Sequence, residues 1–362
     1  MKLLIYSLLL GQLLLSACNK NNDPGSQPPD ASLYFPPVSG TQWETTTAPA
    51  SGWTSAAESD LAAWLQTKNT RAFIVLHKGR IVTERYFGSF TADSIWYWAS
   101  AGKTLTAFLV GIAQQEGLLR LSDRTSQYLG NGWTSIPLAK EQLITIRHQL
   151  TMSTGLENNV PDDDCTLPAC LQYRADAGTR WFYHNAPYTL LDKVVEQASG
   201  KTYNQYFQEK IRNRIGMNGL WLRQGSYNNV YFSNARSMAR FGLLLLAKGQ
   251  WAGTPILADT GYMNAISSTS QNLNLSYGYL TWLNGKASHM LPATSLVFPG
   301  MLTPNAPPDM YAALGKNDQK IYVVPSRQLV IIRMGDSAGN VQLASSSFDN
   351  ELWGRLRTML GY

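Results

Sequence analysis

Charge is scarce in this chain of 362 residues: Asp, Glu, Lys and Arg make up 15%, and 30 Lys and Arg against 24 Asp and Glu leave a net charge of +6. The positive residues are scattered. That excludes an arginine-rich arm or basic stripe, so no nucleic-acid partner is expected and at most a weak attraction to anionic envelope surfaces. Cysteine is limited to 3 residues and histidine to 4. His77, His148, His184 and His289 stand far apart, and no Cys or His set has zinc spacing, so neither a metal nor another cofactor is expected. No serine carries both glycines of Gly-x-Ser-x-Gly, which leaves the nucleophile elbow of the α/β-hydrolases unsupported. Gly102-Lys103-Thr104 and Gly200-Lys201-Thr202 imitate the tail of a phosphate loop, but Tyr97 and Val195 occupy the places of its first glycine. No internal repeat is visible.

What is abundant points to a large folded unit. Hydrophobic residues reach 44%, ample for a core in a chain roughly two average domains long, and this excludes a disordered or fibrous protein. The N-terminus is set apart. Lys2, the apolar run Leu3 to Leu15 and then Leu15-Ser16-Ala17-Cys18 form a basic start, a greasy stretch too short for a membrane span, and small residues before a cysteine. This reads as a bacterial lipoprotein signal over 1–17, with Cys18 lipidated; an ordinary secretory signal is the alternative. Residues 18–50 read as a flexible tether, since Asn19 to Pro37 is rich in Asn, Pro, Ser and Gly, and 51–362 reads as the folded domain. The expected location is the cell envelope, lipid-anchored and facing the periplasm or exterior. In that oxidising setting Cys165 and Cys170, five apart in one loop, favour a local disulfide over two free thiols.

Hydrophobic patterning then gives the fold class. Phe73 to Leu76, the turn-prone Lys78-Gly79 and Ile81 to Thr83 predict one hairpin; Lys320 to Val324, Pro325-Ser326-Arg327 and Leu329 to Met334 predict another, followed by a helix over Phe348 to Leu360. Between them lie helical patterns ending at Gly117, Gly200 and Gly249. Pairing the terminal strands into one antiparallel sheet against a mostly helical middle gives an α+β architecture, with a cleft where the two regions meet.

One cluster of residues suggests chemistry. Ser100-Ala101-Gly102-Lys103 is the sole Ser-x-x-Lys of the chain and opens a predicted helix, so its serine and lysine share a face. A serine hydroxyl becomes nucleophilic when a neighbour takes its proton, and a lysine amine does so when burial or nearby positive charge lowers its pKa. The plainer alternative is a serine cap with a surface lysine one turn on. Further along, Tyr183 and Asn185 alternate around His184, so in an extended loop both face one pocket, where a phenol can relay a proton and an amide can orient a carbonyl. Alone, Tyr-x-Asn is equally a structural turn.

Taken with Phe73-Ile74-Val75-Leu76-His77-Lys78-Gly79, Trp98-Ala99 ahead of the serine, Ile146-Arg147-His148-Gln149-Leu150-Thr151-Met152-Ser153-Thr154-Gly155-Leu156, the stretch Ser233 to Gly242 and Tyr322-Val323-Val324-Pro325, the chain from about Ser55 to Tyr362 resembles the serine hydrolases of the penicillin-recognising fold. That branch contains class C β-lactamases, D-alanyl-D-alanine carboxypeptidases, family VIII esterases and aminohexanoate-oligomer hydrolases. The resemblance implies an acyl-enzyme on Ser100, with Lys103 as base, Tyr183 as proton relay and Asn185 as a substrate-positioning amide. It departs at the third motif, read as Ala313-Leu314-Gly315, where relatives acting on β-lactams or D-Ala peptides carry a polar first residue. A cation there would meet the carboxylate of a penicillin or a D-alanine terminus; without one at Ala313, substrates lacking that carboxylate are favoured: a small neutral ester or amide. Strand alternation aims Lys316 away from the face of Ala313 and Gly315. By analogy, the backbone N–H groups of Ser100 and Lys316 form the oxyanion hole, beside Gly315. A D-alanyl-D-alanine carboxypeptidase or β-lactamase, and a non-catalytic lipoprotein on the same scaffold, are the alternatives.

Overall fold

The computed structural model describes residues 33–343 and 345–360; Cys18 and the signal over 1–17 lie outside the described residues. Helix α1 (Ser55–Thr67) leads into strands β1 (Thr70–His77) and β2 (Arg80–Tyr86). Helices α2 (Gly102–Gln115), α3 (Leu191–Ser199) and α4 (Ala235–Leu246) follow. The chain then returns to the sheet through β3 (Trp282–Leu283), β4 (Tyr311–Gly315), β5 (Gln319–Val324) and β6 (Leu329–Gly335), and ends in α5 (Phe348–Leu360). The six strands run in the order β2-β1-β6-β5-β4-β3, every pair antiparallel. This is the expected α+β, β-lactamase/transpeptidase-like architecture, closed by pairing Ile74 with Ile332. Both hairpins form where the apolar runs and turn residues place them. At the first, Lys78 and Gly79 take φ of 51° and 80°, the left-handed pair that matches the twist of a two-residue hairpin.

The two-residue alternation of the strands sorts their side chains between two cores. Ile74, Leu76, Ile321, Val323, Val330 and Ile332 pack toward α4 and the helical region. Phe73, Val75, Tyr322, Val324 and Ile331 pack on the other face, against Leu61 and Leu65 of α1 and Leu352, Trp353 and Leu356 of α5. Because both faces are covered, these strands read as continuous apolar runs. Helix α4 is started by Asn234, whose side chain accepts the Ser237 N–H. It lies close enough to the sheet that a Cβ at Gly242 would stand 2.5 Å from Val330 Cγ1.

Of the tether expected over 18–50, the part from residue 34 to residue 46 is fastened to the folded unit, and 18–32 lie outside the described residues. Tyr34 N–H donates to Lys78 O and Thr46 N–H to Ile81 O, Trp43 Nε1 donates to Gly79 O at 2.8 Å, and Phe35 packs edge-on to Trp251. Four aromatic and backbone anchors thus fasten residues 34–46 to the folded unit, because Tyr34, Phe35 and Trp43 gain more from burial than a solvated strand would. Among the described residues no helix is long and apolar enough to cross a membrane.

Candidate active site

A tight turn presents Ser100. Ala99 sits at φ 48°, a left-handed backbone uncommon for a residue with a Cβ, and a short 3₁₀ turn Ala99–Ala101 runs straight into α2. No side chain caps either element, so Ser100 is not the cap that its position allowed. Its Oγ instead accepts from Lys103 Nζ at 3.0 Å. Nor is Lys103 a surface lysine: it is 5% exposed, because α2 is buried without interruption from Gly102 to Ala113. Burial disfavours the ammonium and lowers its pKa to about 7, although the charges of Asp164 and Asp163 work against the shift. The amine lies 4.2 Å from the ring centre of Tyr188 and 5.1 Å from that of Tyr183.

Tyr183 comes to the same place from the segment ahead of a short helix, Asn185–Thr189. Its ring stacks on Trp282 of β3 at 5.7 Å and 19°. Burial raises the phenol pKa, while a hydrogen bond with Ser100 pulls it back down. The structure therefore gathers Ser100, Lys103 and Tyr183 at one point. Asn185 borders the same cleft, and its Oδ1 is buried without a hydrogen-bond partner. An acceptor in that state carries a desolvation penalty of roughly 1–3 kcal/mol until a donor arrives, which suits a group that meets substrate. His184 faces elsewhere: it is 3% exposed, and burial lowers its pKa to about 4.

The opposite wall is the end of β4. A Cβ at Gly315 would fall 2.5 Å from Trp98 O and 3.0 Å from Ala101 N, so glycine alone lets the strand press against the Ser100 turn. Ala313 is 2% exposed and belongs to the core. Lys316 departs from the alternation expected of it: the strand stops at Gly315, a turn over Lys316–Asp318 follows, and Lys316 borders the cleft together with Gly315. The cleft has a volume of about 620 Å³, and its outer walls include Leu291, Pro292 and Leu302 from one loop and Asn158 and Asp163 from another.

A scan against family models matches residues 61–348 to the model described as Beta-lactamase. The chain belongs to the beta-lactamase family. Beta-lactamase-family proteins are serine hydrolases. The putative penicillin-binding protein PbpX of Bacillus subtilis (strain 168) is 26% identical over 161 residues, 40% of this chain and 39% of that protein. The D-alanyl-D-alanine-carboxypeptidase/endopeptidase AmpH of Escherichia coli (strain K12) is 26% identical over 139 residues, 34% of this chain and 36% of that protein. The matched region thus spans under half the length of these curated relatives. Among solved structures, a putative 6-aminohexanoate-dimer hydrolase from Bacillus anthracis superposes with a TM-score of 0.66 at 19% identity, covering 92% of this chain and 88% of the other. A putative beta-lactamase from Bacteroides dorei DSM 17855 gives a TM-score of 0.66 at 17% identity, over 86% and 100%.

This beta-lactamase-family site also contains groups that spacing did not reveal. Cys165 and Cys170 are bonded, as their spacing leads one to expect; the acids just ahead of that bridge, Asp163 and Asp164, lie near enough to act on the Lys103 charge. Asp164 accepts from Asn228 Nδ2 at 2.6 Å, and Asp163 O accepts from the N–H of Ala186, next to Asn185, at 3.3 Å. Burial and the neighbouring carboxylates raise the pKa of Asp163. Tyr188 beneath Lys103 and Trp282 beneath Tyr183 were likewise not singled out. The run Asp162-Asp163-Asp164 was legible in the sequence, but nothing in it tied those acids to a lysine sixty residues earlier.

Proposed function

We propose that this chain hydrolyses an ester or amide bond through an acyl-enzyme on Ser100. The observation that carries the reading is the buried Lys103 amine, 3.0 Å from the Ser100 hydroxyl and with a pKa lowered to about 7. At neutral pH an appreciable fraction of that amine is unprotonated and able to take the hydroxyl proton. Oγ attacks the carbonyl carbon, and the proton passes to Lys103. As the tetrahedral intermediate collapses, Tyr183 delivers its proton to the leaving alcohol or amine and takes the one held by Lys103 in exchange; water, giving a proton to the same pair, then attacks the acyl-enzyme, and that proton returns to Ser100 as the acid leaves. The backbone N–H groups of Ser100 and Lys316 receive the oxyanion, and the Asn185 amide orients the substrate. The preferred substrate is small and uncharged, since Leu291, Pro292, Leu302 and Leu314 give the cleft an apolar lining; Ala313, expected on this wall, is buried in the core instead. Lys316 at the cleft edge favours a second reading, a carboxylate-bearing substrate such as a D-alanyl peptide.

Ser100→Ala should lower hydrolysis of a short-chain aryl ester at least a thousandfold in the purified protein and abolish labelling by a fluorophosphonate. Parental rates in that variant would remove the nucleophile assignment. In the same assay, fast turnover of a cephalosporin or a D-alanyl-D-alanine peptide with slow ester cleavage selects the second reading. We also propose attachment to the envelope through lipid on Cys18; Cys18→Ser should move the protein from the membrane to the soluble fraction, and an unchanged distribution removes the anchor.

A further inference from the structure

The turn that carries Lys316 is strained and held from three sides. Asn317 and Asp318 both adopt left-handed backbone, at φ 58° and 59°, and two such residues in succession without glycine relax unless their surroundings fix them. From the sheet itself, on β6, comes Arg333, 0% exposed. Its Nη1 donates to Asn317 O and Asp318 O, both at 3.0 Å, while the rest of the guanidinium is anchored to Thr70 Oγ1, Lys68 O and Asp336 O. Gln319, also 0% exposed, donates from Nε2 to Asn317 O at 2.9 Å and to Gly335 O at 2.6 Å, and accepts the Gly335 N–H. From the Ser100 side comes Tyr97, whose Oη accepts from Asn317 Nδ2 at 2.8 Å. Tyr97 is the third residue before Ser100 and is itself paired with Phe232 in a small sheet.

We infer that Tyr97, Arg333 and Gln319 are positioning residues that set the gap between Ser100 and the Lys316 N–H. The inference rests on the acyl-enzyme reading given above. None of the three needs to touch substrate. Arg333 and Gln319 fix where the turn stands relative to the sheet, and the Tyr97–Asn317 bond ties it directly to the segment that delivers the nucleophile. An oxyanion donor acts on charge that develops in the transition state, so an error in that gap lowers kcat while leaving ground-state binding nearly intact.

Arg333 and Gln319 are buried hubs whose removal threatens folding, so the test falls on the half-buried end of the chain of contacts. Tyr97→Phe removes a single hydroxyl. Asn317→Gly removes the amide while retaining a residue at ease with positive φ. With an aryl ester as substrate, each variant should lower kcat about tenfold with KM within about twofold of the parent, given how steeply rate depends on alignment. Affinity for phenylboronic acid, which forms a tetrahedral adduct on the serine, should weaken in parallel with kcat, and the double variant should be no slower than the worse single one because both break one bond. A kcat within twofold of the parent in both variants overturns the inference, as does a loss carried entirely by KM with boronate affinity unchanged. If Ser100→Ala retains activity, the acyl-enzyme reading itself fails; if Ser100 is required and these variants are indifferent, the positioning inference alone fails.

Discussion

Lys103 must either keep a charge out of water or give it up, and burial decides for the second, bringing its pKa to about 7 from an ordinary 10.5. With the amine as base, kcat/KM should rise with pH through a limb near 7, where the free enzyme loses this proton. Asp164 and Asp163 favour the ammonium and hold the value up. Replacing Asp164 by Asn should therefore move the limb to lower pH, readable in a pH–rate profile; a shift to higher pH, or none, contradicts the assigned coupling. Stability follows the same group. Between about 7 and 10.5 the unfolded lysine binds a proton that the folded one has released, so this contribution to stability rises with pH across the window and is least favourable below it. The pair Ser100 and Lys103 was readable because three residues on a helix fix a shared face. The acids that tune the lysine were not, since they reach it only through contacts remote in sequence, such as that of Asp164 with Asn228.

Strands and helices were legible wherever a periodic apolar run met a turn residue, as at Lys78-Gly79 and Pro325-Ser326-Arg327. Two segments escaped that logic for one reason: their partners are remote. Residues 34–46 look polar and loose until Trp43 reaches Gly79, and the strand period implied that Lys316 would turn away, whereas Arg333 and Gln319 hold the chain in a left-handed turn there. The contact between α4 and the sheet is a further case of an unreadable constraint, since Gly242 inside a helix is locally unfavourable by about 1 kcal/mol relative to Ala. Here it opens room for Val330 and Ile321. Gly242→Ala should lower the denaturation midpoint by an amount corresponding to roughly 1–3 kcal/mol of overpacking, less that propensity gain, while activity per folded molecule stays at the parental level. A raised midpoint in urea denaturation would mean that the helix and sheet can separate at no cost.

Taken as one body, the protein is laid out around a long-range joint. The family fold and the meeting of sheet and helices could be inferred from strands at both ends of the chain, but the cleft's walls come from loops whose shape depends on what they pack against. The joint itself has a temporal meaning. His77 pairs with Leu329, and Thr70 with Gly335, so the ribosome must add the whole helical middle before β1 meets its inner neighbour. At roughly 5–20 residues per second, the first hairpin waits for tens of seconds with one apolar edge unpaired. A newly made chain therefore carries an unsatisfied sheet edge, open to mispairing with other chains, until the strand that covers it has been synthesised.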